Sequence, residues 1–121
     1  MGFLSRLFGR RVPEAAPSEH AVIAHLKLSD EEFGTGDQRA SIQELSSQLE
    51  QSIAEAAAGE FDGDEFGAGR CTLYMYGRDA DLLFAAVEQQ LRASPHATGG
   101  FVIKRSGSAS DPCATEVRIE L

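Results

Sequence analysis

Apolar and polar positions alternate, then cycle at helical spacing, then alternate again, and this succession outlines the chain. In "HAVIAHLKLS", residues 20–29, Val22, Ala24, Leu26 and Leu28 fall on one side. Ile23, His25 and Lys27 fall on the other, as in a strand with one buried face. The loop "DEEFGTGD" follows. Thr35, with Gln38 three residues on, matches a capping box. Ile42, Leu45, Leu49, Ile53 and Ala56/Ala57 then recur at helical spacing, and Gly59 is a natural C-terminal stop.

The period of two returns in "GEFDGDEFGAGRCTLYMYG", residues 59–77. Phe61 and Gly63 point inward and Asp62 and Asp64 outward, as on a short edge strand. Phe66 has the wrong parity to continue it, so a bulge or turn is expected near Glu65. "GAG" makes a hairpin connection, and "RCTLYMYG" sets Cys71, Leu73 and Met75 against Thr72, Tyr74 and Tyr76. Asp79 is a good N-cap for a second helix with Asp81 in its first turn. Leu83, Phe84, Val87 and Leu91 form its apolar stripe, and "SP" at 94–95 stops it. "GGFVIKRS" predicts a fourth strand, "GSASDPC" a loop, and "TEVRIEL" a fifth strand with Val117, Ile119 and Leu121 inward.

The order is β-α-β-β-α-β with one added strand. That is the split βαβ of an α+β, ferredoxin-like sandwich, with two helices on one face of an antiparallel sheet. The other face stays open. In the usual strand order for this topology, 4-1-3-2, that face gathers Ile23, His25 and Lys27, Thr72, Tyr74 and Tyr76, Val102 and Lys104, and Asp62 and Asp64. Glu116, Arg118 and Glu120 lie beyond strand four. Too few of these residues are fully polar for a surface without a partner.

Composition adjusts this picture at three points. The 121 residues suffice for one domain, over 20–121. Before it, residues 1–19 read as an amphipathic tail and linker. Phe3, Leu4, Leu7 and Phe8 form an apolar helical face among Arg6, Arg10 and Arg11, suited to weak membrane-surface contact or peptide docking, and "VPEAAPSE" is the linker. Charge is uneven. Residues 1–12 carry three arginines and no acid, leaving eight Lys and Arg against nineteen acids, a net of −11, on the rest. A body that acidic repels phosphate backbones, which argues against general nucleic-acid binding. Two cysteines, Cys71 and Cys113, without CxxC spacing or a secretory signal, fit a reducing cytoplasm, with pairing between them left open.

The chemistry on offer is sparse. Asp62 and Asp64, two apart on a strand, are weak candidates for an oxygen-loving divalent ion. An EF-hand count from Asp62 meets Phe66 and Leu73 where ligands are required, and edge-strand solubility explains the acids without a metal. Two tyrosines on a central strand parallel the aromatics with which RNA-recognition motifs stack bases, yet "GRCTLYMY" lacks that motif's basic-glycine-aromatic opening. His25 as base and Tyr74 as acid would make a catalytic pair if two sheets packed face to face. No nucleophile elbow, phosphate loop or dinucleotide glycine pattern is present, and no cofactor is expected. The expectation is a non-catalytic binding module acting through Ile23, His25, Lys27, Tyr74, Tyr76, Val102 and Lys104 on another protein chain or on itself. Two alternatives remain: a small enzyme with His25 and Tyr74 in a dimer cavity, and an acidic inhibitor of the immunity-protein type.

The run "GEFDGDEFGAGRCTLYMYGRDADLLFAAVE", with "GGFVIKR" after it, resembles a family of small bacterial proteins of uncharacterised function that share this block. The resemblance covers residues 20–121. It implies a bacterial, compact, single-domain protein and carries no activity or site residue with it.

Overall fold

Alternation and capping together produce seven elements. In the computed structural model, which describes residues 19–29 and 34–121, these are β1 (His20–Lys27), α1 (Gly36–Glu55), β2 (Glu60–Gly67), β3 (Arg70–Gly77), α2 (Ala80–Ala93), β4 (Phe101–Ser106) and β5 (Thr115–Glu120). The expected tail with Phe3, Leu4, Leu7 and Phe8 lies outside the described residues. The strands form one sheet in the order β2-β3-β1-β4-β5, with every neighbouring pair antiparallel. This is the ferredoxin-like arrangement with a fifth strand added beyond β4. No helix among the described residues is long and apolar enough to cross a membrane.

Both helices begin as the sequence predicts. The Thr35 hydroxyl accepts from the Gln38 amide at 3.1 Å, and Gln38 Oε1 accepts from the Thr35 amide at 3.1 Å, closing the capping box. At α2, Asp79 Oδ1 accepts from the amides of Asp81 and Leu82, and His20 Nδ1 accepts from Ala80. Three donors at the N-terminus that have no helical partner are thereby satisfied.

The first helix ends differently from expectation. It stops at Glu55, with Ala57 at φ 52° in the left-handed region. Ala58 donates to Ile53 O at 3.0 Å and Ala57 to Ala54 O at 3.1 Å, a Schellman pattern whose left-handed position is an alanine. Gly59 serves another purpose. A Cβ there would stand 2.0 Å from Tyr76 O, so the chain entering β2 can cross the end of β3 only as glycine.

The core lies between the helices and one sheet face. Val22, Ala24 and Leu26 of β1, Cys71, Leu73 and Met75 of β3, and Val102 of β4 meet Ile42, Leu45, Leu49 and Ile53 of α1. Leu83, Phe84, Val87 and Leu91 of α2 complete it. Burying each large aliphatic side chain contributes about 1.5–3 kcal/mol before chain entropy is counted. Cover thins at the β5 edge: Ile119 and Leu121 pack against the core, but Val117, expected inward, is 51% exposed.

Two placements on the sheet are corrected. Val102 pairs with Ala24 and Lys104 with Val22, so both face the helices. Val102 is fully buried, and Lys104 Nζ reaches Asp81 of α2 at 2.6 Å. Neither belongs to the open face; Phe101, Ile103 and Arg105 take their places. The bulge in β2 falls between Phe61 and Gly63, not near Glu65. Beyond it the parity reverses: Asp64 pairs with Leu73 on the helix side, while Glu65 pairs with Thr72 on the open side. Asp62 and Asp64 therefore do not project together from one face.

Candidate binding face

The open face is built by register. Ile23 sits between Tyr74 and Ile103, and His25 between Thr72 and Phe101. Ala21 sits between Tyr76 and Arg105 and is wholly covered, although both described helices lie on the other side. The centre is thus an apolar and aromatic band of Ile23, Tyr74, Tyr76 and Ile103, each half-buried by its neighbours. On the β2 side the Tyr74 hydroxyl donates to Glu65 Oε1 at 2.7 Å, which draws that ring towards the sheet edge.

A second environment begins at His25. Its ring stacks on Phe101 with centroids 4.6 Å apart and planes inclined by 21°. Its Nδ1 is 3.4 Å from the Thr72 hydroxyl. The Arg118 guanidinium lies 3.6 Å from the Phe101 ring centre and that of Arg70 5.8 Å from it. Cations over an aromatic face are attracted by the ring quadrupole. Glu120 pairs with Arg118. Partial burial, then the charges of Arg70 and Arg118, hold the His25 pKa below its ordinary value. Both effects favour the neutral imidazole.

His25, Phe101, Arg70 and Arg118 border a cleft of about 510 Å³ where β1 ends and β3 begins, with Lys27, Ser29, Ala68, Gly69 and Gly99 also on its wall. Ala68 (φ 55°) and Gly69 (φ 73°) form the two-residue turn between Gly67 and Arg70, both in left-handed conformation. That is the type I′ geometry matching the twist of a hairpin, and it sets Arg70 at the rim.

Of the residues singled out from sequence, Ile23, His25, Lys27, Tyr74 and Tyr76 share the open face, and Val102 and Lys104 do not. His25 and Tyr74 have different partners, Thr72 and Phe101 for the first and Glu65 for the second. Among the described residues, no group of three or more His, Cys, Asp or Glu is placed to hold a metal ion. Both cysteines are free, Cys71 in the core and Cys113 exposed. Burial, with Asp64 nearby, pushes the Cys71 thiol up to about 12, so it is packing material and not a nucleophile. The side chains missed from sequence are Phe101, Ile103, Glu65 and Arg70. Arg118 was legible only as an outward residue of the last strand. No family model, curated protein or solved structure matches the chain.

Proposed function

We propose that the protein is a non-catalytic binding module whose open sheet face receives a second protein chain, and that this chain is a second copy. The observation that carries the reading is the band of Ile23, Tyr74, Tyr76 and Ile103, four large side chains at the centre of a sheet face on which no helix among the described residues packs. Apolar and aromatic side chains left partly exposed at the centre of a sheet favour contact, because keeping them in water costs free energy that association recovers.

The band is self-complementary about an axis along β1, its middle strand. A copy turned about that axis sets Tyr74 against the partner's Ile103 and Tyr76 against the partner's Arg105, pairing aromatic with aliphatic and ring with cation. Closed twofold pairs of this kind are the commonest assembly of soluble chains.

Sedimentation equilibrium tests the reading. The wild-type chain should dimerise at micromolar concentration, and Tyr74→Ala should weaken association by about 2 kcal/mol, roughly thirtyfold, if Tyr74 is a hot spot. His25→Ala should weaken association less than Tyr74→Ala, since His25 lies at the cleft end of β1, next to the band. A chain that stays monomeric at about 100 μM, weaker than specific pairs of this kind, overturns the reading.

A further inference from the structure

We propose that the cleft where β1 ends and β3 begins is a binding site for a small phosphorylated molecule. Arg70, Arg118 and Lys27 would hold the phosphoryl group, and the remainder would lie along Phe101 and His25.

Charge placement is the first support. Only eight Lys and Arg serve residues 13–121 against nineteen acids, yet three of the eight line this one cleft. Elsewhere, cations are used structurally: Arg78 donates to Ala57 O, Arg105 to Gly107 O, Arg39 to Gly34 O, and Lys104 pairs with Asp81. In the cleft, Glu120 on Arg118 is the one ion pair among the described residues. Like charges gathered around one ring repel one another, and a multiply charged anion relieves that repulsion. After burial, the same two guanidinium groups disfavour a further positive charge on His25.

Shape and chemistry narrow the ligand. Two guanidinium forks and an ammonium suit a tetrahedral dianion better than a single carboxylate, which one fork satisfies. A cleft of about 510 Å³ is within the ordinary range for small-molecule sites and leaves room beyond a phosphoryl group. The surrounding body, at −11, opposes additional phosphates, so a monomeric phosphoester fits where a nucleic acid does not. The cleft lies beyond the Ile23–Tyr74 band and opens among loop residues, so its occupancy and self-association are separate measurements.

The test is an amide ¹H–¹⁵N titration of the full chain with inorganic phosphate and with glycerol 3-phosphate, at constant ionic strength against chloride. Saturable shifts confined to the amides of Gly69, Arg70, Gly99 and Phe101 are expected, with glycerol 3-phosphate binding at least as well as phosphate. The double variant Arg70→Gln, Arg118→Gln alters two exposed side chains and should keep its melting temperature while weakening binding about tenfold or more. Tyr74→Ala should leave the titration unchanged, whether or not it disrupts self-association. The proposal is overturned if neither probe gives saturable shifts, if chloride reproduces them, or if the double variant binds as well as wild type. It is also overturned if a single-stranded oligonucleotide binds more tightly than glycerol 3-phosphate, with a salt dependence reporting several phosphates, because the surface would then be a polyanion track.

Discussion

The two faces of this sheet are made by the same strands and differ in almost every physical respect. On the covered face, Val22, Ala24 and Leu26 stand beside Cys71, Leu73 and Met75, all fully buried and all without charge. On the open face the intervening residues are Ile23, His25 and Lys27 beside Arg70, Thr72, Tyr74 and Tyr76, half-buried or exposed and chemically mixed. A packed core needs only shape and apolarity, so its residues are interchangeable within volume. The open face combines aromatic rings, both signs of charge and a titratable ring, held by pairwise contacts such as Tyr74 with Glu65 and His25 with Phe101. The contrast separates the residues that hold the protein together from those available for recognition.

The largest test of that contrast compares neighbours on β1. At a concentration where the chain is monomeric, Leu26→Ala should lower unfolding free energy by about 3 kcal/mol, through lost burial and the cavity left under the helices. Ile23→Ala, three residues away on the other face, should cost about 1 kcal/mol. Urea unfolding checks both. Equal losses would break the contrast and mean that the open face is covered by something as constant as the helices. A loss at Ile23 that grows with protein concentration would sharpen it, tying the face to self-association.

Most of the covered face could be read in advance because it obeys two simple periods. Ile42, Leu45, Leu49 and Ile53 repeat at helical spacing, and Cys71, Leu73 and Met75 alternate, so each burial follows from neighbours in sequence. β4 illustrates where that stops. In "FVIKRS" three apolar residues stand in a row, so Phe101 and Ile103 or Val102 and Lys104 could equally face outward. Pairing with β1 decides it, through Ala24 opposite Val102. In β2 the parity of Phe66 places a bulge near Glu65, but the register shifts earlier, between Phe61 and Gly63, and Asp64 faces the helices instead. The cleft was less legible still. Arg70, Phe101 and Arg118 come from three strands and meet only through the combined register of the sheet. Periodicity within a segment does not contain that information.

Two histidines, one on each side of the sheet, give a second and smaller test. His25 is on the open face, near Arg70 of β3, Arg118 and Glu120 of β5, and Lys27 of its own strand. His96 is buried after α2, with Nε2 3.1 Å from the Ser41 hydroxyl of α1. Burial holds both pKa values below the ordinary 6.5, and the two arginines add to the effect at His25. Below pH 6.5 the unfolded chain therefore binds more protons than the folded one. The stability this represents is complete above that pH and is lost as pH falls through the folded-state values. Asp81, held low by Lys104, adds a loss of the same sign further down, in the carboxylate range. Urea midpoints should fall between pH 7.5 and 5.5. His96→Gln should flatten the profile in any buffer, whereas the His25 share should shrink when phosphate occupies the cleft. A profile that is flat in wild type would mean that neither ring is shielded from water in solution.

The smallest expected effect concerns two alanines in left-handed backbone, one at each side's border. Ala57, at φ 52°, ends the helix that packs on the covered face, and Ala68, at φ 55°, sits in the hairpin turn that walls the cleft. An L-residue with a Cβ pays a steric penalty in this region that glycine avoids. Ala57→Gly should raise stability by about 0.5–1 kcal/mol, because the Schellman hydrogen bonds remain and the added freedom of the unfolded chain offsets only part of the relief. Ala68→Asn should gain about as much, since asparagine is the favoured first residue of a type I′ turn before glycine. The measurement that matters is the pairing of stability with phosphate affinity. Ala57→Gly should move only stability. Ala68→Asn should move stability and also change affinity, because it adds a polar side chain to the cleft wall. If both substitutions stabilise and neither alters phosphate binding, the turn supports the hairpin alone and the ligand does not reach the wall at Ala68.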